Sequence, residues 1–205
     1  MPTEPEDRVA AVVLAAGDAR RFGAPKLLMP FGDSTIVGCV VAALEAAGID
    51  PIIVVAGSQA PAIAEALSAA PARVVHNPQP TLGMLSSVRI GVGALPEGID
   101  RFLLALADQP RISPEHIRRL LQAHRASGKG IAIPTYQGKR GHPVVFAARY
   151  RPNILALDNT HTLRDVIHSR PDDIAEIETA SDAVIRDIDT REQYHDELRR
   201  SHAEQ

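Results

Sequence analysis

Apolar runs and amphipathic stretches alternate along the chain, and Gly- or Pro-containing turns separate them. Runs without a polar interruption are typical of parallel strands covered on both faces, whereas apolar residues at helical spacing indicate surface helices. The pattern predicts strands over 9–16, 52–56, 73–76, 102–107, 131–135, 142–146, 175–177 and 184–188. It predicts helices over 34–47, 61–70, 85–94, 113–125, 163–168 and from about 191 onward. This alternation predicts an α/β fold with a doubly wound, mostly parallel sheet flanked by helices.

Cap and turn residues set the predicted bounds of several elements. Asp33 or Ser34 is the predicted N-cap of the first helix, and Gly48 is its predicted stop. Ser113, followed by Pro114 at the first helical position, opens the fourth helix.

The first strand leads into a loop with cationic side chains. The stretch from Val9 to Lys26 reads VAAVVLAAGDARRFGAPK, so a buried strand ends at small residues and Gly17 before Arg20, Arg21 and Lys26. Exposed backbone amides beside fixed cations suit the oxygens of a triphosphate. The loop has neither the spacing of a Walker A motif nor that of a G-x-G-x-x-G fingerprint. An ordinary surface loop after a core strand also fits these residues.

Polar residues follow three other predicted strands, at the edge where ligands bind in open α/β sheets. Asp108 directly follows an apolar strand, which suits a magnesium ligand or, alternatively, a helix-cap or turn aspartate. The segment HNPQPTLGMLSSVRIG follows another predicted strand and contains Asn77, Gly83, Ser86 and Ser87 around a predicted helix start. Their amide and hydroxyl groups could contact a nucleotide base or sugar, or could be ordinary helix caps.

The last of these polar segments is VIRDIDT. We predict that Asp187 and Asp189 lie on opposite sides of an extended segment, so that only one of them faces the site. The other carboxylate is then expected to be solvated.

Composition narrows the class of protein. The chain has 205 residues with a net charge of −3, without a basic block or an aromatic-rich platform, which argues against nucleic acid as a partner. It contains neither an apolar run long enough to span a bilayer nor an apolar signal sequence, so we expect no membrane association and a cytoplasmic location. Cys39, the only cysteine, is expected in the core.

Five sequence blocks, taken together, resemble a known family. They are LAAG…R-x-G-x-x-K, H-N-P…G-M-x-S-S-x-R-x-G, A-D-Q-P, G-x-R-G-H-P-V and D-I-D-T, in this order. The order is similar to that of the MobA-like nucleotidyltransferases, and within them to the molybdopterin cytidylyltransferase branch. The resemblance runs from Val9 to about Tyr194. It implies a Rossmann-like domain that transfers NMP from an NTP to a phosphorylated acceptor, with Mg²⁺ as cofactor and pyrophosphate as product.

The resemblance also implies roles for individual residues. Arg21, Lys26 and Asp108 are the expected catalytic residues, with Asp108 and Asp189 as metal ligands and Asp187 as the alternative to Asp189. His142 and Arg164 are expected on the acceptor side, although a turn histidine beside Pro143 is the other interpretation of His142. The expected nucleotide-binding residues are Leu14, Ala15, Ala16, Gly17, Arg21, Lys26, Asn77, Gly83, Ser86, Ser87 and Asp108.

The implied organisation is one domain over 1–205, with an NTP-binding part at about 9–130, a smaller acceptor-side part at about 131–190 and a C-terminal helix at about 191–201. Two segments depart from the family pattern. Residues 159–164 read NTHTLR where many cytidylyltransferases have G-D-x-G-A-R, and DIDTREQY lacks the usual proline after the threonine. The first departure weakens molybdopterin as the acceptor more than it weakens nucleotidyl transfer.

Substrate and partner expectations follow from the same resemblance. The form Ala15-Ala16-Gly17 favours CTP over GTP, and the acceptor is a phosphorylated small molecule such as molybdopterin. Cytidylyl or uridylyl transfer to a sugar or polyol phosphate is one alternative. A non-catalytic molybdenum cofactor chaperone is another, and the expected protein partner is a molybdoenzyme or a maturation factor.

Overall fold

A computed structural model describes residues 7–17, 22–158 and 160–203. Its strands are β1 Val9–Ala15, β2 Pro30–Phe31, β3 Ser34–Thr35, β4 Ile52–Ala56, β5 Ala72–His76, β6 Arg101–Leu106, β7 Ile131–Tyr136, β8 Lys139–Arg140, β9 Val144–Ala147 and β10 Ile174–Glu178. The main sheet has eight strands in the order β10-β7-β9-β6-β1-β4-β5, with β8 paired to β7, and β2 and β3 form a separate two-stranded ribbon.

The sheet is mostly parallel and β1 lies inside it. Strand β1 pairs in parallel with β4 on one edge and with β6 on the other, while β9 runs antiparallel between β6 and β7. The chain therefore extends from β1 through β4 to β5 on one side, and then crosses to β6 on the other side. Such a reversal of strand order creates a crevice at the carboxyl ends of the two strands. The predicted α/β fold class is confirmed.

Helices cover both faces of the sheet, which explains why β1 is apolar at every position. The helices are α1 Ile36–Ala46, α2 Ala60–Ala66, α3 Met84–Gly93, α4 Pro114–Ser127, α5 Arg151–Leu155, α6 Leu163–His168 and α7 Arg191–Ala203. Ala11 and Val13 point into a core shared with α1, α2 and α4, and Ala10 and Val12 point into a second core with α3. No helix in the described ranges has the length and apolar character needed to cross a bilayer.

The structure corrects two of the predicted elements. The predicted strand over 184–188 is a 3-10 turn, Asp182–Ile185, followed by irregular chain. Val184 and Ile188 are apolar because they are buried in the core, and their backbone groups bond to loops: His142 N donates to Val184 O, and Ile188 N donates to Asp108 O. The N-cap of α1 is Thr35 rather than the predicted Asp33 or Ser34, because Thr35 Oγ1 accepts a hydrogen bond from Gly38 N (3.1 Å) in the first turn.

The carboxylate of Asp173, at the start of β10, stabilises the edge of the sheet that β10 forms. Asp173 accepts hydrogen bonds from Gly130 N (2.8 Å), Tyr150 Oη (2.6 Å) and Arg149 Nη2 (2.8 Å). Partial burial alone raises the pKa of the Asp173 carboxyl, but these three donors outweigh it and bring the pKa to about 2. The carboxylate therefore joins β10 to the start of β7 and to the segment after β9.

Candidate active site

A cleft of about 340 Å³ lies at the carboxyl ends of β1 and β6, where the strand order reverses. The end of β1, from Leu14 to Gly17, forms one wall. Ala15 and Ala16 are almost fully buried, so their small side chains bring the backbone close to the cleft. A Cβ atom on Gly17 would meet no atom within 4 Å, which shows that the glycine borders open space. The predicted Arg20 and Arg21 lie at 18–21, outside the described residues.

Lys26 forms the cationic centre of the cleft. It begins a 3-10 turn, Lys26–Leu28, and is only 9% exposed. Its Nζ donates to Asp108 Oδ2 at 2.8 Å and to Asp189 Oδ1 at 3.2 Å. One ammonium group therefore bridges carboxylates from two distant parts of the chain.

Three carboxylates converge at this point. Asp108, Asp187 and Asp189 each offer an oxygen, and these oxygens lie within 4.8 Å of one another. The prediction that only one of Asp187 and Asp189 faces the site is wrong. Residues two apart on an extended backbone share a face, and here the irregular chain before α7 turns both side chains toward Asp108. The D-x-D spacing was therefore a signal for both carboxylates.

The surroundings of Asp108 shift the pKa of its carboxyl in opposite directions. Burial raises the pKa of the Asp108 carboxyl, the charge and hydrogen bond of Lys26 lower it, and the nearby Asp187 charge raises it again. The net effect is a raised pKa, so Lys26 does not fully compensate for burial and for the neighbouring carboxylate.

The start of α7 holds the Asp189 segment in place. Gln193 Oε1 accepts from Asp189 N (2.7 Å) and Thr190 N (2.9 Å), and Gln193 N donates to Thr190 Oγ1 (3.2 Å). This is a capping box of the T-x-x-Q type, in which side chain and backbone satisfy each other. It orders the helix start without the proline that the family pattern usually has there.

Another part of the cleft wall comes from the turn before α3 and from the start of that helix. Gly83, with a φ of 96°, Met84 and Ser87 line the cleft. Asn77 and Ser86 instead line a neighbouring cavity of about 410 Å³.

The Asn77 amide is fully engaged within the protein. Its Nδ2 donates to Ser86 Oγ and Ser87 Oγ, both at 2.9 Å, and its Oδ1 accepts from Gln79 N at 2.9 Å. Asn77 is 1% exposed, so its amide stabilises the cleft wall from inside the protein and does not point into the cleft. The sequence showed the polar character of Asn77 but not these internal partners.

The two predicted acceptor-side residues occupy different surroundings. His142 follows β8, its N donates to Val184 O at 2.8 Å, and burial lowers the pKa of its imidazole to about 4 although Asp187 raises it. Arg164 lies on α6 with an exposed side chain. Neither residue is among those that line the cleft around Lys26.

These groups define what the cleft can bind. Carboxylate oxygens are the ligands that Mg²⁺ and Mn²⁺ prefer, and Lys26 can contact phosphate oxygens as a mobile point charge. The model of the MobA-like NTP transferase domain matches residues 11–174. The chain belongs to the MobA-like NTP transferase family. The predicted family and the predicted enzyme class, nucleotidyltransferase, are both confirmed.

Three proteins of known name are similar to this chain over most of their length. The chain is 30% identical over 196 residues to nicotine blue oxidoreductase of Paenarthrobacter nicotinovorans, covering 91% of this chain and 95% of that protein. A nucleotidyl transferase of Methanothermobacter thermautotroptrophicus is similar with a TM-score of 0.79 and 27% identity, over 96% of this chain and 100% of that one. Rv0371C of Mycobacterium tuberculosis H37Rv in complex with manganese has a TM-score of 0.74 and 26% identity, over 94% and 98%.

Proposed function

We propose that this protein transfers a nucleoside monophosphate, CMP from CTP, to a phosphorylated small-molecule acceptor with release of pyrophosphate and with Mg²⁺ as cofactor. The observation that carries the proposal is the convergence of Asp108, Asp187 and Asp189 in the cleft, where Lys26 bonds to Asp108 and Asp189. A family of NTP transferases and a similar protein that binds manganese support it.

The donor set fits a hard divalent cation. Three carboxylates within 4.8 Å of one another repel unless a cation lies among them, and the Lys26 ammonium supplies that charge in this structure. Asp108 and Asp189 would hold the ion, and Asp187 completes the set. When bound, Mg²⁺ neutralises charge on the triphosphate and on the departing pyrophosphate.

The residues of the chain itself have the task of positioning. The end of β1 and Gly17 leave room for the nucleotide, and Lys26 leaves its carboxylate partners to contact triphosphate oxygens. Arg21 adds a second cation by family resemblance. A phosphate acceptor is already ionised near neutral pH, so neither a protein nucleophile nor a general base is required. We place His142 and Arg164 on the acceptor side, His142 as a hydrogen-bonding group.

The finer substrate assignment rests on the sequence resemblance. The side chains of Ala15 and Ala16 narrow the space for the nucleotide base, which favours the pyrimidine of CTP over the purine of GTP. Molybdopterin is the first acceptor to test, followed by sugar and polyol phosphates. We assign nucleotide binding to 9–130 and acceptor binding to 131–190 within one domain, with a molybdoenzyme or maturation factor as the protein that receives the product. A non-catalytic cofactor carrier would not need the three carboxylates.

Pyrophosphate release tests the proposal. The protein is incubated with CTP, MgCl₂ and each acceptor, and Asp108→Asn is compared with Asp172→Asn, which changes an exposed aspartate away from the cleft. We expect release with one acceptor, at least a 100-fold loss for Asp108→Asn, corresponding to about 2.7 kcal/mol, and no loss for Asp172→Asn. Because one relative is named an oxidoreductase, NADPH oxidation is followed in parallel. Redox turnover without pyrophosphate release from any acceptor would contradict the proposal.

A thermal-shift series identifies the nucleotide. CTP, GTP, UTP and ATP are each added with and without Mg²⁺, and we expect the largest Mg²⁺-dependent stabilisation with CTP. Stabilisation by GTP alone would refute the choice of CTP but not nucleotidyl transfer.

A further inference from the structure

We propose that Glu197 is a positioning residue that sets the spacing of the three metal-binding carboxylates from behind the site. The inference rests on the proposed function, because it assumes that these carboxylates bind a divalent cation. Glu197 lies on α7 and is 2% exposed, so it contacts neither the cleft nor solvent.

Two arginines share the Glu197 carboxylate. Arg111 Nη1 donates to Oε2 at 3.0 Å, Arg186 Nε donates to Oε1 at 2.9 Å, and Arg186 Nη2 forms an ion pair with the same Oε1 at 2.8 Å. The Arg111 side chain is 8% exposed and that of Arg186 is 34% exposed. Each carboxylate oxygen therefore has its own guanidinium partner. Charge-assisted contacts of this kind are stronger and more directional than neutral hydrogen bonds.

The two arginines lie close in sequence to the carboxylates of the proposed metal site. Arg111 lies three residues after Asp108, and Arg186 immediately precedes Asp187. Glu197 therefore connects the two backbone segments that carry the carboxylates. Ile188 N donates to Asp108 O at 3.0 Å and Gln109 Nε2 donates to Val184 O at 3.4 Å, so the segments also touch directly. The Glu197 contacts add a charge-assisted attachment through the side chains of Arg111 and Arg186, which restricts the angle between the segments from behind the site.

Metal sites depend on such supporting contacts. Groups that orient the ligands typically change metal affinity by about 10- to 100-fold when they are mutated. Asp182 belongs to the same ion-pair network and provides a matched comparison. Its shortest contact is with Arg200 Nη1 (2.9 Å), and its contact with Arg111 is longer (3.4 Å). Removing the Asp182 charge disturbs the network without separating Glu197 from its two arginines.

The test measures Mn²⁺ binding directly, from the electron paramagnetic resonance signal of free Mn²⁺, without nucleotide and without turnover. The full chain is compared with Glu197→Gln, in which an amide group faces one of the two guanidinium groups. We expect at least a tenfold weaker Mn²⁺ affinity for Glu197→Gln and less than a threefold change for Asp182→Asn. Urea unfolding of both variants measures the loss of stability separately.

Each outcome decides the question. Equal Mn²⁺ affinity of Glu197→Gln and the unaltered protein would refute the inference alone, and so would an equal loss in Asp182→Asn. If the unaltered protein bound no Mn²⁺, the metal site of the proposed function would be refuted as well. Arg186→Met serves if Glu197→Gln does not fold, since it removes the link to the Asp187 segment at a partly exposed side chain. Its Mn²⁺ affinity is expected to fall at least tenfold, and an unchanged affinity would overturn the inference.

Discussion

Replacement of Gly91 by alanine should destabilise the protein by a predictable amount. Gly91 is buried on α3, where the helix packs against β1 and β4. A Cβ atom there would overlap Val12 Cγ1 and would lie 2.8 Å from Val55 Cγ2. Both valines are fully buried on central strands, so their stiff side chains cannot turn away.

Two opposing terms set the magnitude. Overpacking a well-packed core costs about 1–3 kcal/mol, and replacing a helical glycine by alanine returns about 0.5–1 kcal/mol. The two ranges leave a net loss of up to about 2.5 kcal/mol, with about 1 kcal/mol as the central value. For a chain of this size, the central value corresponds to a Tm lower by about 2–4 °C.

Gly93, on the same helix, is the matched control. A Cβ atom on Gly93 would meet only Leu155 Cδ2, at 3.8 Å, which is an ordinary contact. We therefore expect Gly93→Ala to be neutral or more stable by about 0.5 kcal/mol. Urea unfolding and thermal melts of the two variants provide the comparison. A Gly91→Ala variant as stable as Gly93→Ala would refute the packing argument and the close approach of α3 to the sheet.

Two further predictions concern charged groups. Lys26→Met should bind Mn²⁺ at least as tightly as the unaltered protein, because the ammonium group that competes for the carboxylates is gone. Its affinity for CTP in the presence of Mg²⁺ should fall at least about tenfold, because a contact to the triphosphate is lost. Loss of Mn²⁺ binding in equilibrium dialysis would contradict this expectation. Asp173, with a folded-state pKa of about 2 below the unfolded value of about 3.9, contributes stability above about pH 4 that is lost as the pH falls toward 2. Allowing for solvent screening, Asp173→Asn should cost about 1 kcal/mol at pH 7, and Asp172→Asn should cost nothing measurable. The difference should shrink as the pH falls below about 4 and disappear below about pH 2 in urea titrations, and a constant difference would exclude the ionised carboxylate as its source.

Local pattern was sufficient for much of the fold. Residues 52–56 and 163–168 were predicted with the bounds that β4 and α6 have in the structure. Asp108 was predicted as a candidate metal ligand because an apolar strand leads directly into this carboxylate at the ligand-binding edge of the sheet. In each case the signal lies within a few consecutive residues.

The remaining features depend on contacts between distant segments. Glu197 occurs in the charged stretch REQYHDELRR, which by itself indicates a solvated helix face, and only the packing of α7 reveals its two arginine partners. Val184 and Ile188 resembled a strand because burial in a core selects apolar residues whatever the backbone does. The hydrogen-bonding capacity of Asn77 could be predicted from its residue type. Its partners could not, because they lie in the turn and helix that follow.

The ion pairs of Lys26 have a consequence for the order in which the protein assembles. Lys26 is separated from Asp108 by 82 residues and from Asp189 by 163, whereas β4 and β5 are neighbours in both sequence and space. Contacts with long sequence separation form only after the intervening chain has been brought together. A chain in which these segments have not yet come together therefore lacks the contacts of Lys26 with Asp108 and Asp189. Under the proposed function, binding of a divalent metal would accordingly report that folding is complete.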